Sequence, residues 1–190
     1  MDVEDNINII PVEKDSLNKN GIKPLSPGNA WLYQEKVYDS TGALVKSSIY
    51  ADSVIKDTVI DKTNWYKTSH YARYWQTNTV DGLRFRLYAT GQPLLEWLEA
   101  KYPGEIGFIW QADARQMTIA ATDTLISVTA GEFKCYYYTG IAFITGIGWE
   151  YSAYFYSAKT GLIRAEIFRV KAGGERWLYS SVELIVFKKE

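Results

Sequence analysis

The sequence predicts a mainly all-β chain: a single curved antiparallel sheet, or partial barrel, of about nine to ten strands with one short helix. Three observations carry this. Aromatic residues make up 15% of the chain, with 15 Tyr, 7 Trp and 7 Phe, and aromatic side chains favour strands. Apolar and polar residues alternate with period two along most of its length, as in half-buried strands. The spacers between these runs are short, which favours consecutive antiparallel neighbours.

Taken in order, residues 1–27 show no sustained period and are interrupted by Pro11, Gly21, Pro24 and Pro27. They read as an N-terminal tether and turn, leaving 28–190 as one antiparallel β domain. Trp31, Tyr33, Glu35 and Val37 alternate with Leu32, Gln34, Lys36 and Tyr38, and "DSTGAL" closes the first hairpin. A long strand follows from about Leu44 to Lys56, then a short strand, a polar turn around Asp61 to Asn64, and an aromatic strand ending near Trp75. Asp81-Gly82 reads as a two-residue type I′ turn, which sets Asn78 opposite Phe85 and Thr77 opposite Arg86. The same reasoning at Gly173-Gly174 sets Arg164 opposite Glu183 and Val170 opposite Trp177, with Ile163, Ala165 and Ile167 on the other face. The window "GQPLLEWLEAKYPG" gathers Leu94, Leu95, Trp97 and Leu98 within little more than a turn before Pro103-Gly104, and reads as the short helix. Beyond it come strands near Ile106–Gln111, Gln116–Val128, Phe133–Tyr138, Trp149–Tyr156, Leu162–Val170 and Arg176–Phe187.

Composition removes several function classes. Twenty-one basic and 22 acidic residues give a net charge of -1, so no overall field attracts nucleic acid. A single Cys and a single His exclude an intrachain disulfide framework and a multi-histidine metal site. No apolar run approaches the roughly 20 residues of a membrane span.

The candidate chemical groups each have a structural explanation. Cys135, in "VTAGEFKCYYYTG", shares a predicted strand face with Phe133 and Tyr137 and has no histidine near it in sequence, so it reads as a core thiol. His70 reads as a hydrogen-bonded strand residue. Glu150, Glu166 and Glu183 lie in strands, and two of them converging would make an acid/base pair, but Glu183 already faces Arg164. "TGIAFITGIGWE" lacks the Lys-Ser/Thr and the helix of a phosphate loop and reads as a flexible apolar loop. Trp65, Trp75, Tyr71 and Tyr88 share a predicted face, where they form either a stacking platform or core. No catalytic residue, metal ligand or cofactor site is assigned.

Three segments resemble a family. "KPLSPGNAWLYQEKVYDSTGALVKSSIYADSVIKDTVIDKTNWYK", "SVTAGEFKCYYY" and "YFYSAKTGLIRAEIF" are similar, in order and spacing from about Pro24 onward, to exported proteins and lipoproteins of Bacteroidota, the TapB-like group. The chain departs from it at "SAKTGLI" and in the Ile-rich segment Gly140 to Gly148. The resemblance implies an extracytoplasmic protein, periplasmic or associated with the outer membrane or cell surface. It also implies an N-terminal lipid anchor in a full-length precursor, whose signal is not in this sequence, and a sheet related to the half-barrel of lipoprotein carriers. The expected role is therefore non-enzymatic, with a lipid or other apolar small molecule held in the concave face. A carbohydrate-binding or surface interaction module, and a hydrolase with carboxylates from separate strands, are the alternatives. An open apolar face needs cover. Leu94, Trp97 and Leu98 of the helix and Ile141, Phe143 and Ile144 of the loop are the expected cover and the expected ligand-binding residues.

Overall fold

The computed structural model describes residues 21–71, 73–87 and 95–190. They form twelve strands: β1 (Ala30–Tyr38), β2 (Leu44–Ile60), β3 (Thr63–Thr68), β4 (Tyr74–Thr79), β5 (Gly82–Leu87), β6 (Leu95–Lys101), β7 (Ile109–Ala112), β8 (Arg115–Val128), β9 (Gly131–Ile144), β10 (Gly148–Ser157), β11 (Gly161–Val170) and β12 (Arg176–Lys188). Every pairing is antiparallel between chain neighbours, except that β1 also pairs with β12. The sheet therefore runs β6 to β1 and then β12 to β7, so its two edges belong to strands joined by one connection.

The edges β6 and β7 meet through side chains. Trp110 Nε1 donates to the Leu98 carbonyl at 2.9 Å, and Tyr138 from β9 donates to the Lys101 carbonyl at 2.7 Å. These bonds satisfy edge carbonyls that would otherwise be orphaned, and they draw the sheet into a nearly closed barrel.

No helix occurs among the described residues, which corrects the expected one. Leu95–Lys101 is strand β6, paired with β5 from Gly82↔Lys101 to Leu87↔Leu95. Seven residues are too few for periodicity to separate helix from strand. Pairing decides: Glu96 on the outer face takes Arg84 at 3.3 Å and Arg86 at 3.0 Å, while Trp97 packs on the core. The expected Ile-rich loop is likewise strand. Ile141, Phe143 and Ile144 belong to β9 and pair with β10, and only residues 145–147 turn. Gly140 is there for space, since a Cβ would lie 2.3 Å from Ser152 Oγ and 2.7 Å from Met117 Sδ.

The turn registers differ in detail from the expectation. At the β4–β5 hairpin Thr79 faces Gly82 and Asn78 faces Leu83, so Val80 and Asp81 occupy the turn. Gly82, at φ +131, instead lets the backbone of β6 approach; its Cβ would sit 2.0 Å from the Ala100 carbonyl oxygen. The β11–β12 loop holds three residues between Lys171 and Glu175, whose backbones bond at 2.9 Å. Val170 thus faces Arg176 rather than Trp177, and a bulge at Ile167/Phe168 restores the expected Arg164↔Glu183 pair.

Inward residues of both halves make one core, including Trp31, Tyr33, Leu83, Ile119, Cys135, Tyr138, Ile163 and Leu184. Of the expected tether, residues 21–27 are described. Ile22 and Leu25 are fully buried, Asn78 of β4 donates to the Lys23 carbonyl at 2.7 Å, and Lys159 of the β10–β11 turn donates to the Gly21 carbonyl at 3.0 Å. The segment thereby crosses from one half of the sheet to the other and stoppers one end of the barrel.

Candidate functional site: the barrel interior

Alternation along each strand decides what faces inward. On β1 it is Trp31, Tyr33 and Glu35; on β6, Trp97 and Glu99; on β10, Glu150, Ser152, Tyr154 and Tyr156. Core packing fills part of this interior and leaves a cavity of about 460 Å³, within the usual range for small-molecule sites. Its walls carry Tyr33, Tyr50, Tyr71, Tyr74, Phe85, Trp97, Tyr154 and Tyr156, with aliphatic patches from Leu83, Met117, Ile144, Leu162 and Val182.

The charged groups in the walls are of two kinds. Some are neutralised. Lys23 Nζ lies 2.8 Å from Asp52 Oδ2 with both side chains buried, and the other Asp52 oxygen accepts the His70 backbone N–H at 3.0 Å. Burial alone would raise the pKa of Asp52, but the Lys23 charge and hydrogen bonds from Lys23, Thr68 and His70 outweigh it and hold the carboxyl below its ordinary value. At the other side Arg115 reaches Glu150 at 2.9 Å, and Arg169 approaches the same carboxylate at 3.7 Å.

Glu99 is different. Burial pushes its carboxyl above the ordinary range, and its side-chain hydrogen bond comes from the Trp97 indole at 2.8 Å. It is partly exposed and lines the cavity. Tyr71, Tyr154 and Tyr156 all feel its negative charge, which adds to burial in raising their phenols, so they remain neutral hydroxyl donors at physiological pH.

Of the residues expected to bind a ligand, Trp97 and Ile144 line this cavity. Leu98 offers its carbonyl to Trp110 at the seam. Ile141 is half-buried in β9, and Phe143 stands exposed on the outer surface against the edge of Trp149, 5.4 Å between centroids. Leu94 lies outside the described residues. Sequence reasoning missed Glu99, Tyr154, Tyr156 and the Lys23–Asp52 pair. A strand reading of "EWLEAK" would have found Glu99, two residues from an inward Trp.

The other candidates separate. Cys135 is fully buried, its thiol pushed up to about 12 by burial, and its polar contact is the Phe133 carbonyl at 3.6 Å. Its neighbour Tyr137 does not share its face as expected: it stacks on Phe155 at 4.7 Å, while Tyr136 and Tyr138 turn inward across irregular pairing with β8. His70 sits exposed in a turn, not a strand, stacked 3.9 Å from Tyr50. Glu166 and Glu183 both pair with Arg164, whereas Glu150 is bound by Arg115 and Arg169. Trp65 is covered by Arg86, 4.5 Å from its ring, while Tyr71 lines the interior, so no platform forms from them; Tyr88 lies outside the described residues.

No protein-family model and no curated protein matches the chain. Two solved structures share its shape. One is a candidate lipoprotein from Parabacteroides distasonis, 13% identical with a TM-score of 0.51, covering 89% of this chain and 99% of that one. The other is a candidate exported protein with a YmcC-like fold from Bacteroides fragilis, also 13% identical with a TM-score of 0.51, covering 90% and 100%. At that identity the likeness is one of architecture: the chain has the fold of these two Bacteroidota proteins, an antiparallel sheet curled almost into a barrel.

Proposed function

We propose that the chain is an extracytoplasmic binding protein that holds one small molecule inside the barrel. The observation that carries this reading is the interior cavity, about 460 Å³, left inside a barrel whose end is stoppered by residues 21–25. Packed interiors leave few voids larger than a water, so a recess of this size within a barrel has the dimensions of a ligand site rather than of a packing defect. The aromatic walls suit an apolar body, and the tyrosine hydroxyls and Glu99 suit a polar group attached to it. A plain acyl chain would leave those polar groups unanswered, so the expected lipid narrows to an amphipathic molecule with a short apolar part. Export is supported by the descriptions of the two structural neighbours, one a candidate lipoprotein and the other a candidate exported protein; the likeness to the TapB-like group rests on the sequence motifs alone.

Native mass spectrometry of the protein recovered from the envelope fraction of its own host tests the reading. One equivalent of a small molecule, released on denaturation, is expected. A cytosolic protein that carries nothing and binds nothing from an envelope extract would overturn it.

A further inference from the structure

The cavity wall carries four carboxylates, Glu35, Asp52, Glu99 and Asp113, against two permanent cations, Lys23 and Arg115. Both cations are already engaged, by Asp52 at 2.8 Å and by Glu150 at 2.9 Å. Among the described residues no cation forms an ion pair with Glu99. Its Oε2 accepts the Trp97 indole N–H, which leaves Oε1 to accept from whatever enters.

Resting on the binding reading above, we propose that the barrel interior recognises an organic ammonium ion, with Glu99 as its counter-charge and the rings of Trp97, Tyr71, Tyr154 and Tyr156 around it. Aromatic faces attract a cation, more strongly when it is desolvated, and a carboxylate in a low-dielectric setting attracts it more strongly than one in water. An anion would meet uncompensated like charge. A neutral polyol could donate a hydroxyl to Glu99 but would leave its buried charge without a counter-charge, which is costly.

Burial raises the proton affinity of Glu99, so a proton competes with an ammonium ligand for it, and the ligand's affinity falls as pH drops through the folded-state value. The other charged groups facing Glu99 are Arg115 and Lys23, which favour its ionised form, and Asp113, which opposes it; Tyr71, Tyr154 and Tyr156 stay neutral, and His70 lines the same cavity.

Three probes of one shape, phenylbutylamine, phenylbutanol and phenylbutyrate, test the inference by calorimetry and by ring-proton NMR at mildly alkaline pH. The amine is expected to bind about tenfold or more tightly than the alcohol, with butyrate weakest. Glu99→Gln keeps the shape and an acceptor for Trp97, and is expected to erase the preference for the amine over the alcohol. Equal binding of amine and alcohol, or a preference that survives in Glu99→Gln, would overturn the ammonium site and leave the binding reading standing. If none of the three probes perturbs the interior rings, both fall.

Discussion

Cys135 and Lys23 show how much a single position depends on its burial. With its thiol fully buried and pushed up to about 12, Cys135 carries almost no thiolate at neutral pH, and thiolate is the reactive form. A disulfide reagent in native buffer is expected to leave it unmodified for hours and to label it within minutes after unfolding; stoichiometric labelling of the folded protein would refute its core role. Lys23 and Asp52 hold each other where neither would be tolerated alone. Lys23→Met is therefore expected to cost about 3–5 kcal/mol in urea unfolding, because it strands a buried carboxylate. A loss under about 1 kcal/mol would mean the pair is not buried as described. Asp52, with its pKa lowered, stabilises the fold above its unfolded-state pKa, and that contribution is lost as pH falls through the folded value. Glu99 has the opposite sign. Its raised pKa means the folded chain binds the proton more tightly than the unfolded chain, so its contribution is complete below the unfolded-state value of about 4.3 and is lost as pH rises through the folded one. Glu99→Gln should accordingly melt higher than the parent at pH 8 and alongside it at acid pH. Equal melting temperatures at both would show that burial does not strain the ionised carboxylate.

Individual strands and turns were legible where the signal was local. Alternation set Trp31, Tyr33 and Glu35 on one face of β1, which is the inward one, and the Arg164–Glu183 pair falls where expected because a bulge offsets the one-residue shift of the turn. Two elements were misread for physical reasons. The apolar cluster of β6 suits either period over so short a window, and only pairing with β5 settles it. Gly140 looks like a loop glycine, yet it is excluded from carrying a side chain by Ser152 and Met117, its partners on the two adjacent strands. Gly82 gives the sharpest test. A type I′ turn centre accepts Asn nearly as well as Gly, whereas a glycine demanded by a neighbouring carbonyl accepts neither Asn nor Ala. Gly82→Asn and Gly82→Ala are both expected to destabilise by about 1–3 kcal/mol or more. Gly174, at φ +84 with nothing within 4 Å of a built Cβ, should take Asn within about 0.5 kcal/mol. Tolerance of Asn at both positions would return Gly82 to the turn centre.

The whole barrel is stabilised unevenly around its circumference. The first and last strands are locked by an extended ladder, Ala30↔Lys188 through Val37↔Ser180, while β6 and β7 are held at the seam by the Trp110 and Tyr138 side chains. A curved sheet with a concave face was expected, but the seam that nearly closes it was not legible in the sequence, because closure depends on accumulated twist and curvature that no local pattern encodes. Its consequence is that β6, the strand bearing Trp97 and Glu99, is the part of the wall most easily displaced. Removing the two donors together, as Trp110→Phe with Tyr138→Phe, leaves the Leu98 and Lys101 carbonyls without those partners at a cost of about 1–3 kcal/mol each. Hydrogen exchange of the double variant is expected to accelerate in β6 and β7 and to stay slow in β1 and β12, since local opening is governed by local contacts rather than by global stability. Any molecule held against Glu99 should then bind more weakly and leave faster, although neither substitution removes a residue that lines the cavity. Uniform acceleration across all strands would show that the barrel opens only as one unit and that the seam is no weaker than the ladder opposite it.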